Sequence, residues 1–245
     1  SEAATDGQRM LFVNLPRRIA PARRLYPIGF EGVTPLPMRV TADELVYVHT
    51  GVRNVADAVA FGVVATERPS AYTYELFGRA VGWQEVARAA RATDVVYLTR
   101  YESGRIHLVE AGGVEGPPPD ADLITRFGDR IDLLDASCAC DQSGRVRLAT
   151  WWRVGSDVDV DVSVFAHLVG VEDGLIAQAD GVPLLGMMPF WLWEAGETVR
   201  DVRQFPEVEG GSYAIRFGIW EPATGARWPT SGGYDEAVTP RVQCP

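Results

Sequence analysis

Side chains able to do chemistry are sparse in this chain, and their spacing excludes more than it supports. The three histidines, His49, His107 and His167, stand alone, with no HExxH or HxH pairing and no Ser-His-Asp arrangement. Every one of the 23 basic residues is arginine. With no lysine there is no Schiff base, no Walker A lysine and no kinase-type lysine. Glycines form neither GxGxxG nor GxSxG. Asp157, Asp159 and Asp161 alternate like the start of a calcium loop, but the sixth position is Val162 and the twelfth Leu168, where such a loop needs Gly and Glu. Cys138, Cys140 and Cys244 lack the paired spacing of a zinc site. The expectation is a chain with no catalytic residue, no metal and no cofactor.

Aromatic residues are the remaining signal. Trp151, Trp152, Trp191, Trp193, Trp220 and Trp228 all fall in the second half of the sequence. A flat indole with one N–H suits stacking on a sugar ring. Trp152 lies on a valine face and reads as core. Trp151 stands among arginines, and Trp191 and Trp193 follow Pro189. Trp151, Trp191 and Trp193, with Asp159 and His167, are therefore the candidate ligand-binding residues.

The formal net charge of −10 opposes a polyanionic partner, so nucleic acid is not expected. A local basic group, Arg17, Arg18, Arg23 and Arg24, reads as a solvated loop, the alternative being a face for lipid headgroups or a phosphate. No stretch approaches the roughly 20 apolar residues of a membrane span. Ser1 to Gln8 reads as a linker, which places any membrane-embedded segment upstream of it. In an oxidising compartment Cys244 pairs with Cys138 or Cys140; the alternative is three free thiols.

The elements that must position these residues are mainly strands. Gly116-Pro117-Pro118-Pro119-Asp120 is the strongest punctuation, and it separates a smaller α+β domain (10–115) from a β-domain (120–245). In the first, Trp83, Val86, Ala87 and Ala90 share one helical face, and Val95–Thr99 with Arg105–Val109 read as a hairpin. Met10–Asn14, Leu45–His49 and Val59–Val64 read as strands, and Pro16–Pro37 as a long loop. In the second, short strands between Gly-containing turns predict an antiparallel β-sandwich of the jelly-roll or immunoglobulin type. Val146, Leu148, Thr150 and Trp152 share one face of a strand; Arg145, Arg147, Ala149, Trp151 and Arg153 share the other. Val158, Val160, Val162 and Val164 alternate with polar residues, predicting a second strand. A hairpin through Val154-Gly155-Ser156 would set Arg153 opposite Asp157 and Trp151 opposite Asp159.

Several short segments of the second half carry a resemblance: Phe165-Ala166-His167-Leu168, Ala177-Gln178-Ala179-Asp180-Gly181, Trp193 with Gly196-Glu197, Asp201, Gly211-Ser212-Tyr213, Gly218-Ile219-Trp220 and Gly225-Ala226-Arg227. Together they resemble the β-domain that follows the membrane helices in bacterial glycosyltransferases of the protein-mannosyltransferase-like type. In that family catalysis belongs to acidic residues between membrane helices, so the resemblance implies a non-catalytic, extracytoplasmic accessory domain tethered to the membrane, with a glycan or glycoprotein acceptor as partner. A structural or protein-interaction domain of the envelope is the alternative from another class. A glycan hydrolase would need two facing carboxylates about 5 to 9.5 Å apart.

Overall fold

The computed structural model describes residues 9–13, 56–60, 82–102, 105–172 and 174–245. The expected strand at Leu45–His49, the loop Pro16–Pro37 and the four arginines at 17, 18, 23 and 24 lie outside them. The fold is mainly β, and it divides into two compact units, Ser1–Glu110 and Ala111–Pro245.

In the first unit, β1 (Arg9–Val13) runs parallel to both β2 (Ala56–Ala60) and β3 (Val95–Glu102). Helix α1 (Trp83–Ala90) precedes β3 and buries Val86, Ala87 and Ala90, the face its 3.6-residue period predicts. Strand β4 (Arg105–Val114) follows β3 as the expected hairpin. Asp94 anchors the start of β1, its carboxylate accepting from the Arg9 backbone N–H at 2.7 Å and the Arg9 guanidinium at 3.0 Å. Those bonds hold the Asp94 carboxyl below its usual range.

The second unit is a two-sheet antiparallel sandwich. Its first sheet comprises β5 (Thr125–Phe127), β6 (Ile131–Cys140), β7 (Arg145–Val154), β10 (Thr198–Glu207) and the end of β4. Along it β6 pairs with β7, β7 with β10, and β10 with Gly112–Val114. Gly112 is required at that last pairing: it has φ 121°, and a Cβ there would lie 1.8 Å from the Arg200 carbonyl oxygen. The second sheet comprises β8 (Ser163–Val169), β9 (Leu175–Gln178), β11 (Gly211–Trp220) and β12 (Ala237–Val238), and the short β13 (Val242–Cys244) also pairs with β11.

Alternation on β7 behaves as predicted except at Ala149, which shares the face of Arg145, Trp151 and Arg153 yet is buried. Val146, Leu148, Thr150 and Trp152 are buried, and Trp152 forms edge contacts with Phe127, Phe190 and Phe217 at centroid distances of 5.7, 6.5 and 6.1 Å. Phe217 belongs to the second sheet, so this aromatic cluster is where the two sheets meet.

The predicted strand over Val158–Val164 is corrected. Residues 155–162 form the connection between the sheets, and only Ser163 onward is a strand, paired with β11 and β9. Val158 and Val162 are buried without ladder partners, while Val160 is exposed. Arg153 accordingly faces Asp132 and Thr198, and Trp151 faces Asp135 and Arg200; Asp157 and Asp159 face neither. Cys140 and Cys244 form a disulfide, with Cα atoms 5.4 Å apart across 104 residues, and Cys138 keeps its thiol.

Candidate ligand-binding face

Because side chains alternate along a strand, the residues between the buried ones on β7 point away from the second sheet. Trp151 stands in the middle of this outer face, half-buried, with Asp135 in register on β6 and Arg200 on β10. The Arg200 guanidinium carbon is 6.0 Å from the indole centroid, near the outer limit of a cation–π contact. Arg200 is also ion-paired to Glu115, just past β4.

Two residues along, Asp132 is buried on the same face, its side chain 1% exposed, and two guanidiniums close over it. Arg126 Nε donates to Oδ1 at 2.5 Å; Arg153 donates to Oδ2 through Nη2 at 2.7 Å and Nε at 3.2 Å. Burial pushes this carboxyl up, but the hydrogen bonds and charges of the two arginines outweigh it, and Asp132 titrates below its usual value. The arginines themselves are 42% and 39% exposed. They reach this geometry because a tight turn, with Gly128 at φ 53° and Asp129 at φ 60°, folds β5 back on β6 and sets Arg126 opposite Asp132.

The other candidates lie elsewhere. His167 projects from the outer face of the second sheet, on the far side of the sandwich from Trp151. It is held at 3.0 Å by the Gln178 amide and 3.4 Å from Asp180, which also accepts from the Ala166 N–H at 2.8 Å. Phe165 beside it is covered by the Arg227 guanidinium at 4.1 Å. His167 is thus a structural residue of a polar lattice. Asp159 is exposed and ion-paired to Arg130, which also donates to the Asp157 carbonyl at 3.1 Å. Trp193 is corrected to the core: it is 5% exposed, its Nε1 donates to the Met188 carbonyl at 2.9 Å, and its ring lies 4.7 Å from Phe190. Its Pro189 neighbour starts a short 3₁₀ turn, Phe190–Leu192, that turns Trp193 inward and leaves Trp191 41% exposed.

The five predicted residues therefore do not form one site; Trp151 and His167 stand on opposite outer faces. The sequence places Arg153 on the same face as Trp151, but Arg126, Asp132, Arg200 and Glu115, which complete the charged group on this face, are not singled out by it. The Gly128-Asp129 turn was the available signal, since it fixes the Arg126–Asp132 register. Among the described residues no group of three or more His, Cys, Asp or Glu side chains is arranged to hold a metal ion.

No family model matches the chain, and no curated protein matches it. Among solved structures, one similar to it is a crystal structure of the C-terminal domain of Wzt, with a TM-score of 0.36 and 13% identity, covering 51% of this chain and 79% of that one. That likeness is too distant to carry a residue role from one chain to the other.

Proposed function

We propose that this chain is a non-catalytic, extracytoplasmic accessory part of a membrane glycosyltransferase-like protein, and that the outer face of its first sheet binds a glycan or glycosylated acceptor through Trp151. One observation carries the reading. A half-buried indole lies in the middle of a rigid sheet face among guanidiniums and carboxylates, which combines an apolar platform with donors and acceptors for hydroxyl groups. The Cys140–Cys244 disulfide supports an oxidising compartment. Among the described residues no helix is long and apolar enough to cross a membrane.

Intrinsic tryptophan fluorescence with iodide quenching, during titration with a panel of soluble oligosaccharides, tests the proposal. The expected result is protection from quenching by at least one sugar class, lost in Trp151→Phe. Protection that survives Trp151→Phe, or none with any sugar, overturns it.

A second reading, a protein-interaction domain, has its own observation. Strand β9 ends the second sheet, and Leu175 and Ile176 on it are 55% and 52% exposed, beside Val171 at 69%. An open apolar edge of this kind accepts a partner strand.

A further inference from the structure

The Trp151 face also carries oriented cations. Arg126 and Arg153 share the buried Asp132 carboxylate, and Asp129 in the adjacent turn is a further charge partner of Arg126. Each guanidinium directs Nε and Nη2 at Asp132, so its hydrogen bonds to that carboxylate use one edge of the fork and do not involve Nη1. Asp132 therefore serves to orient the two forks while leaving donors at the surface. Orientation of this kind is what bidentate recognition of a carboxylate or phosphate needs, since a planar guanidinium binds such a group best when its direction is already set. Arg153 and Trp151 point from the same face two residues apart, a separation of about 6.6 Å along a strand. A sugar ring on the indole would bring a substituent within reach of the guanidinium.

We propose that this face takes an acidic glycan, the sugar ring resting on Trp151 and its anionic substituent, carboxylate or phosphate, held by Arg126 and Arg153. This deepens the glycan reading of the same face and rests on it. Arg200, engaged with Glu115 and Trp151, borders the ring position and leaves the anion to the other two arginines.

Matched probes isolate the charge. The full chain is titrated with trigalacturonate and with its methyl ester, and with mannose 6-phosphate and with mannose, followed by tryptophan fluorescence and calorimetry. The expected result is a preference of about tenfold or more for the charged member of one pair, the size that one charge-assisted hydrogen bond supplies. The pair that shows it identifies the anion. Arg126→Gln and Arg153→Lys are each expected to remove most of that preference, lowering affinity for the charged member far more than for its uncharged counterpart. Arg153→Lys keeps a cation against Asp132, so the fold is retained and only the fork is lost. Trp151→Phe is expected to weaken both members together. Equal binding of charged and uncharged members, with Trp151→Phe still weakening both, overturns the acidic-ligand inference and leaves the glycan reading standing. A preference that survives both arginine substitutions also overturns the inference. Binding of no probe and of no oligosaccharide in the panel overturns both.

Discussion

Arg203 and Asp201, two residues apart on β10, form an ion pair inside the sandwich, Nε to Oδ2 2.7 Å, with side chains 3% and 0% exposed. They lie on the same inward face as Val199 and Phe205. Two charges in an apolar core are tolerated only when their remaining hydrogen-bonding capacity is used. Here it is: Arg203 donates to the Ala179 carbonyl at 2.5 Å and the Gly181 carbonyl at 2.9 Å, and Asp201 Oδ1 accepts from the Leu184 N–H at 2.8 Å. The pair thereby ties a strand of the first sheet to the segment that leaves the second.

Asp201→Ala would leave Arg203 buried and unpaired, and is expected to cost about 3–5 kcal/mol in urea unfolding. Replacing the pair together, Asp201→Leu with Arg203→Met, is expected to cost less than Asp201→Ala alone, because no uncompensated charge remains. Equal losses would show that the hydrogen bonds to 179–184, rather than charge pairing, dominate.

Asp132 gives a pH-dependent prediction with a definite sign. Its carboxyl titrates lower in the folded state than its ordinary value of 3.8. The associated stability is therefore complete above that value and is lost as pH falls through the lower, folded value. Asp132→Asn is expected to lower stability by about 1–3 kcal/mol at pH 7, the cost of losing bonds to charged groups. The gap between wild type and variant should close as pH drops below 4. A gap that stays constant with pH would mean the loss is one of packing.

How far these contacts could be read from the sequence differs by type. Burial on β7 was legible, because Val146, Leu148, Thr150 and Trp152 keep a strict period of two. The same period misled at Val158–Val164: alternation reports which side chains face the core, and it says nothing about whether the backbone finds a ladder partner. Trp151's neighbours were not legible for a related reason. Arg200 comes from β10, which joins β7 only after the chain has built β8 and β9 in the other sheet. Cys244 was a foreseeable disulfide partner, but choosing Cys140 over Cys138 depended on where β13 docks beside β6.

That choice leaves Cys138 with its thiol, and burial pushes its pKa up to about 11, partly offset by a hydrogen bond with Thr239. Alkylation of the native protein by iodoacetamide at pH 7.5 should be slow and should rise about tenfold per pH unit, since only the thiolate reacts. The fold favours the neutral thiol, so the stability this contributes is intact below the ordinary thiol value of 9.0 and is lost as pH rises from there towards about 11. Cys138→Ser should flatten that alkaline loss. Reduction of Cys140–Cys244, or its double serine replacement, is expected to cost about 2–5 kcal/mol, judged by thermal unfolding with and without reductant.

The turn that Asp201 holds supplies a contrast between two adjacent leucines. Leu184 (φ 53°, ψ 45°) and Leu185 (φ 54°, ψ 40°) are both left-handed, a conformation that costs a non-glycine residue about 1–2 kcal/mol. Leu184 is fully buried, with its N–H on Asp201, so Leu184→Gly would relieve strain but remove a core side chain; a net loss of about 2–4 kcal/mol is expected from large-to-small core substitutions. Leu185 is only half-buried, so its truncation forfeits less. Leu185→Gly is expected to leave stability within about 1 kcal/mol of wild type, strain relief offsetting the greater freedom of the unfolded chain. Chemical denaturation of the two variants side by side is the measurement. A loss from Leu185→Gly as large as that from Leu184→Gly would mean that the second left-handed residue carries packing the turn depends on, and that its backbone is not strained in the way its φ implies.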